Sequence, residues 1–284
     1  MKKYVLLTGA STGIGEATAR LLDKEGFYVF AGVRKASDGE KLKAAASQRL
    51  MPIILDVTQP QQITDSFVYI KNICGAEGLA AVINNAGINY AAPFEFSDAS
   101  KVRNLMEVNV FGLIQVSQTF LPLLQDYAIA SGEKAKLLNI GSIGSAIGIP
   151  WEFSYHTSKF AVLGLSQSLR FELEPLGIDV CCVMPGGIKT PFFAKSAESS
   201  EGAKAAISGR NEAYYTRNIS QMWETAVQFE KMASPPEKVG KTLLHILRAR
   251  RTRLKYLVGT DAKVIYRLVW LGLSGLLKGA FVRP

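Results

Sequence analysis

The chain has 284 residues, of which 48% are hydrophobic and 20% charged. That length and balance suit one large folded domain with a buried core and exclude disorder as the dominant state. The net charge of +9 is local: residues 241–284 carry ten of the 33 Lys and Arg but only one of the 24 acids. The body of the chain is therefore balanced and carries no basic stripe, which excludes a general nucleic-acid surface.

The opening Met1-Lys2-Lys3-Tyr4-Val5-Leu6-Leu7 stops at Thr8-Gly9. That apolar run is too short for a signal peptide and reads as a first buried strand. Further candidate strands are Tyr28–Gly32, Met51–Leu55, Ala80–Asn84, Lys136–Ile140, Asp179–Val183 and Tyr256–Val258. Their apolar content without strict alternation predicts burial on both faces. Helical spacing falls between them, over Gly13–Lys24, Val102–Asp126 and Ser154–Glu174, the last closed by Pro175 and Gly177. Strand and helix alternate, so the fold class is α/β, a doubly wound Rossmann-type parallel sheet in a single domain over 1–284. Residues 190–235 break the rhythm, being rich in Ala, Ser, Glu and Lys with no strand signal. So long an interruption should carry its own helices, and its place after the sixth strand makes it a candidate substrate lid.

A glycine-rich segment, Thr8-Gly9-Ala10-Ser11-Thr12-Gly13-Ile14-Gly15, follows the first strand and opens the first helix. In that context Gly9 permits a tight turn, Gly13 a close approach of backbone to a pyrophosphate, and Gly15 close packing of helix on strand. The free amides of the helix start would face the phosphates. The second strand leads into Val33-Arg34-Lys35, where an NAD site usually places an acid for the ribose diol. Val33 cannot serve there, whereas Arg34, with Lys35 beside it, could pair with a 2′-phosphate. The charge logic favours NADP(H), with NAD(H) as the alternative. Asp56-Val57 ends the third strand, where the carboxylate could accept from adenine or cap the turn before Thr58. Asn84-Asn85-Ala86-Gly87 ends the fourth; its small residues leave room for a cofactor, and an Asn side chain could tie neighbouring loops.

The chemistry gathers later in the chain. Ser142 follows the fifth strand, and Tyr155 and Lys159 lie four apart on one helix face. A free tyrosine, with a pKa of about 10, exchanges protons poorly near neutrality. A lysine cation one turn away is expected to lower that value and make Tyr155 a general acid or base. Ser142 could hold the substrate oxygen. His156 points away from Tyr155 and is expected to pack. No metal site is expected: the three cysteines (Cys74, Cys181, Cys182) and two histidines (His156, His245) have no ligand spacing. Buried free thiols and a reducing, cytoplasmic setting fit better.

Together these residues resemble the classical short-chain dehydrogenase/reductase family. The likeness rests on Thr8–Gly15, Asp56-Val57, Asn84–Gly87, Asn109-Val110-Phe111-Gly112, Ser142, Tyr155 with Lys159, and Pro185-Gly186-Gly187-Ile188-Lys189-Thr190. It implies a catalytic tetrad of Asn109, Ser142, Tyr155 and Lys159. In it Lys159 holds the nicotinamide ribose and Asn109 supports a water relay. Pro185, Gly186, Ile188 and Thr190 would cradle the nicotinamide, and Ser11, Thr12, Ile14, Val57, Ala86 and Gly87 would complete the cofactor contacts. The branch it most resembles acts on retinol, hydroxysteroids or hydroxybutyrate, which implies an apolar carbonyl or alcohol and a homo-oligomer, dimer or tetramer. Reduction of 3-ketoacyl thioesters is the alternative activity, and a non-catalytic NADP-binding regulator the alternative of another class. The tail over 261–284 joins apolar runs to Arg267 and Lys278; it is too interrupted to span a bilayer, and could pack over the lid or rest on an anionic membrane.

Overall fold

The apolar runs pair into one parallel sheet of β1 (Tyr4–Leu7), β2 (Tyr28–Val33), β3 (Leu50–Ile54), β4 (Ala81–Asn84), β5 (Ala135–Ile140), β6 (Ile178–Pro185) and β7 (Lys255–Val258). The computed structural model describes residues 1–44, 46–219 and 233–277. β1, β4, β5 and β6 are buried along their whole length, as their apolar content without strict alternation predicted.

Helices cover both faces of the sheet: α1 (Gly13–Lys24), α2 (Ala36–Lys43), α3 (Pro60–Cys74), α4 (Ala99–Met106), α5 (Gly112–Ser131), α6 (Phe153–Leu173), α7 (Phe192–Ala205), α8 (212–219), α9 (Glu237–Arg248) and α10 (Thr260–Trp270). Alternate strand residues point to opposite faces and feed two cores. Val5, Leu7, Val29 and Ala31 pack with Ala19 and Leu22 of α1 and Val239 and Leu243 of α9. Tyr4, Leu6, Phe30 and Val82 pack with Ile63 and Ile70 of α3 and with Val116, Phe120 and Leu123 of α5.

The strand order is β3-β2-β1-β4-β5-β6-β7. From β1 the chain winds outward to β3, then returns and places β4 on the other side of β1. The connections leaving β1 and β4 therefore diverge and open a crevice at their C-terminal ends, the place where such sheets bind ligands.

The predicted helix over Val102–Asp126 is divided. A π-helical turn, Glu107–Phe111, separates α4 from α5. Its cause is tertiary: Asn109 in the wide turn exchanges hydrogen bonds with the backbone of Ile88, accepting from its N–H at 2.8 Å and donating to its carbonyl at 2.9 Å. Local spacing cannot encode that partner. The region 190–235 is helical through α7 and α8, and Ser234 returns to the sheet side in a bridge with Ile188. Residues 220–232 of the expected lid and 278–284 of the expected tail lie outside the described residues.

At the end of the sheet opposite the crevice, the buried Asp179 of β6 gathers cations from two elements. Lys136 of β5 lies 3.4 Å away, Lys134 3.3 Å, and Arg170 of α6 3.8 Å. Thr252 donates to the same carboxylate at 2.8 Å. Burial pushes this carboxyl up, but the Thr252 hydrogen bond and the Lys136 and Arg170 charges outweigh it and hold it below its usual value. Asp179→Ala would strand the buried Lys136 ammonium, and we expect a loss of about 3–5 kcal/mol in urea unfolding at pH 7. Because the folded value is depressed, this contribution is complete above the unfolded value of about 3.9 and disappears as pH falls through the folded one. The difference between wild type and variant should therefore shrink below pH 4.

Candidate active site

The crevice is held in shape by Asn85 and Thr8. Asn85 Nδ2 donates to the carbonyls of Thr8 at 3.0 Å and Gly9 at 2.9 Å. In return Thr8 Oγ1 accepts from the backbone N–H groups of Asn85 and Ala86, each at 3.0 Å. This clasp joins the loop after β1 to the loop after β4, the role expected of an Asn there. Gly9 and Gly13 both have positive φ, 66° and 59°. A side chain would be strained at either position, and a Cβ on Gly13 would lie 2.9 Å from Thr190 Cγ2. Two segments 177 residues apart in sequence, the glycine-rich turn and the Pro185–Thr190 stretch, thus lie against each other. Gly15 sits so close to the Gly9 carbonyl and Asn85 that no side chain fits.

No side chain caps the N-terminus of α1: Thr12 makes no capping hydrogen bond. Its first amides are left as donors, with the positive end of the helix behind them. Glycine cradle, uncapped helix start and the small residues Ala86 and Gly87 together fit a dinucleotide pyrophosphate. Ser11, Thr12 and Ile14 lie on that turn. Beside it Arg34 and Lys35 are exposed, and among the described residues neither forms an ion pair. Asp56 makes the turn cap anticipated as one of its two readings: its Oδ1 accepts from the Thr58 N–H at 3.0 Å and from its hydroxyl at 2.8 Å. Val57 is buried next to it and packs on Gly112.

The far wall of the cradle is clamped from the tail. Asp261, in the first turn of α10, accepts from Gly187 N–H at 2.7 Å and fills the space that a Cβ on Gly186 would need. Ser234 exchanges backbone bonds with Gly187 and Lys189 on either side of Ile188, each at 2.9 Å. Pro185, at the end of β6, brings this segment to the crevice.

The four tetrad candidates converge beside it. Ser142 caps a short 3-10 turn, accepting from Gly144 N–H at 3.0 Å, and lies near enough to Tyr155 to act on its hydroxyl. His156 lies beneath this turn, with Nδ1 3.0 Å from the Gly144 carbonyl. Burial holds its imidazole below its usual pKa, which suits the packing role expected of it. Lys159 Nζ donates to the Ile140 carbonyl at 2.9 Å and lies 5.6 Å from the centre of the Tyr155 ring. Both amide protons of Asn109 are committed, to Ile88 and to Ser158 Oγ at 3.0 Å. Ser158 in turn donates to the Tyr155 carbonyl at 2.7 Å, so the π turn is tied to the turn of α6 that carries Tyr155. A side chain on Gly87 would point at Asn109 and Lys159, 3.3 and 3.7 Å away, so the cofactor loop and the tetrad share one wall.

One electrostatic expectation needs correction. Tyr155 was expected to be lowered by Lys159. The protein's own groups instead raise it: burial dominates, the Ser142 hydrogen bond opposes, and the Glu152 charge adds to the rise. Lys159 is itself brought down to about 8 by burial, which weakens it as a fixed cation. Desolvation outweighs a cation whose ammonium is engaged by a carbonyl.

Sequence reading missed Asn89, Ser158, Ser196, Ser200 and the clamp role of Asp261. Asn89 Nδ2 donates to Ser196 Oγ at 2.9 Å, and Ser200 Oγ accepts from the Ala91 N–H at 3.2 Å, so α7 is docked on the loop after β4. Phe192 at the start of α7 packs on Tyr155 with ring centres 5.6 Å apart, placing the start of α7 against the Tyr155 ring.

With this geometry in hand, comparison with known proteins is informative. The family model described as short chain dehydrogenase matches residues 3–228. Dehydrogenase/reductase SDR family member 9 of Bos taurus is 33% identical over 96% of this chain and 83% of its own length. Retinol dehydrogenase 7 of Mus musculus is 30% identical over 93% of this chain and 83% of its own. A short chain dehydrogenase from Burkholderia cenocepacia, solved in complex with NADP, superposes with a TM-score of 0.73 over 100% of this chain and 98% of its own at 22% identity, a likeness of fold. The glycine contacts yield a direct test. Gly13→Ala should weaken NADPH binding roughly tenfold or more by fluorescence titration, through strain at positive φ and contact with Thr190.

Proposed function

The chain belongs to the short-chain dehydrogenase family and is an oxidoreductase acting on CH–OH donors with a nicotinamide cofactor; from that premise we propose that it interconverts an apolar ketone or aldehyde and its alcohol, with NADP(H) preferred. The observation that carries the reading is the convergence of Ser142, Tyr155 and Lys159 at the crevice beneath a lid helix that lays Phe192 on Tyr155. The bound cofactor supplies or takes up the hydride.

The chain's own residues would handle the substrate oxygen and its proton. Ser142, its hydroxyl fixed by the turn it caps, orients that oxygen. Tyr155 donates the proton in reduction and accepts it in oxidation. Because burial favours the protonated phenol, the protein alone is set for donation, the step that reduction needs. Lys159 would hold the cofactor ribose. Asn109, with both amide protons committed, acts by position: it holds α6 to the loop after β4, and from there would support a water relay. The exposed Arg34, with Lys35, would pair with a 2′-phosphate at a position where Val33 excludes the diol-binding acid.

Support for an apolar substrate comes from Phe192 and from the retinol-directed name of one relative. A second reading concerns the tail. Among the described residues no helix is long and apolar enough to cross a membrane. Yet α10 exposes Val264 and Trp270, followed by Leu271 and Leu273, while Lys263 and Arg267 are exposed on the same helix. Basic charge beside exposed apolar surface suits attachment to an anionic bilayer surface.

Three measurements check these statements. Tyr155→Phe should lower kcat for carbonyl reduction roughly a hundredfold or more while NADPH still binds; undiminished turnover would remove Tyr155 as proton donor. Arg34→Ala should raise the Kd for NADPH roughly tenfold with little change for NADH, and equal wild-type Kd values would remove the NADP(H) preference. The full chain should co-sediment with phosphatidylserine vesicles at low salt and be released from them by salt. Equal recovery in the supernatant with and without vesicles would end the membrane reading.

A further inference from the structure

Glu152 stands at the head of α6, three residues before Tyr155. Residues at that spacing are neighbours on a helix, and the Glu152 charge reaches the Tyr155 hydroxyl and raises it. The carboxyl has little support. Its Oε1 accepts one hydrogen bond, from Asn89 Nδ2 at 3.0 Å, and Oε2 accepts none among the described residues. A carboxylate withdrawn from water ordinarily collects several donors or a cation. Burial accordingly pushes Glu152 above the usual carboxylate range, with the Asn89 hydrogen bond opposing.

The residue is nonetheless only partly buried, so its second oxygen is not sealed in the core. Its neighbours are largely aromatic. Trp151 before it has a positive φ of 70°, rare for a bulky residue, and packs on Tyr214 and Tyr215. Phe192 closes over Tyr155 from the lid helix. Strain of this kind persists only where its surroundings enforce it. Here the chain is held by the Trp151 carbonyl, which accepts from Ala92 N–H at 2.7 Å. An acid whose Oε2 accepts no hydrogen bond among the described residues thus follows the fixed Trp151 and stands three residues before Tyr155.

We propose that Glu152 is a specificity-determining residue that accepts a hydrogen bond from a hydroxyl or ammonium group on a carbon next to the reacting one. This rests on the function proposed above, because it takes the substrate oxygen to sit at Ser142 and Tyr155. Because Glu152 and Tyr155 are neighbours at the head of α6, a substrate held there would bring the groups one or two bonds from its carbonyl carbon toward Glu152. A donor at that position would complete the carboxylate's hydrogen bonds, and a plain methylene would leave them incomplete. A site built around such a donor discriminates strongly against substrates that lack it. The preferred substrate is then an α-hydroxy or α-amino carbonyl compound on an apolar chain, or the corresponding diol or amino alcohol.

The test is NADPH oxidation with three long-chain 2-alkanones that differ only at C1: unsubstituted, hydroxylated and aminated. The wild-type enzyme should show a kcat/KM roughly tenfold or more higher for the donor-bearing compounds. Glu152→Gln keeps an acceptor without charge and should lower the ratio for the amine more than the ratio for the alcohol. Glu152→Met removes the acceptor and should bring all three ratios toward one. Equal kcat/KM values for the wild type overturn the proposal without recourse to any variant. Ratios that survive in Glu152→Met also overturn it, and leave Glu152 as a strut between α6 and Asn89. Absence of Tyr155-dependent turnover for all three, and for other carbonyls, would instead overturn the proposed function and this inference with it.

Discussion

The structure depends on a reversal of winding between β1 and β4, which lie parallel side by side. At the C-terminal ends of these two strands the backbone parts, and peptide groups that would otherwise pair across the sheet need other partners. The Thr8–Asn85 clasp supplies them, with four hydrogen bonds that use both the side chains and the backbone of the two loops. What it leaves open is a walled crevice in which the amides of a helix start carry no capping side chain. Binding capacity for an anionic cofactor follows from where the sheet changes direction, with no basic side chain required at the phosphates themselves.

The proposed catalytic groups depend on the same frame from the other side. β5 delivers Ile140, whose carbonyl holds Lys159, and the turn after it delivers Ser142. α6 carries Tyr155 and Lys159 on one face, and is fastened to the π turn through Ser158 and Asn109. Lys159 and Asn109 thus have partners on other elements, Tyr155 packs on Phe192 of α7, and Ser142 is fixed by its own turn, which limits their rotamers before any ligand arrives. The cost is desolvation, which holds Tyr155 protonated and brings the Lys159 ammonium down. A cluster in this state favours proton donation to a carbonyl oxygen.

Much of this was legible in the residues. Strands buried on both faces announce themselves as apolar runs, and the seven expected here fall within three residues of the observed ones. The glycine-rich turn, the Tyr155–Lys159 pair and Ser142 were also readable, because each has a local reason for its spacing. Other features have causes that no local pattern carries. The wide turn at Asn109 exists because Ile88 stands across from it. Ser196 and Ser200 lie in a run of small residues, and nothing in that run names the loop after β4 as their partner. Lys159 was expected to act on Tyr155 through its charge, an effect set by burial, which spacing along a helix does not reveal. The hydrogen bond from Gly187 to Asp261 joins residues 74 apart in sequence.

The central claim is that the diverging loops at this reversal form the cofactor site. Amide hydrogen exchange of the full chain, followed by mass spectrometry with and without NADP⁺, tests it most directly. Protection concentrated over residues 9–15, 85–87 and 186–190 is the expected result. Binding without protection in those three segments, or with protection confined to other parts of the sheet, would contradict it.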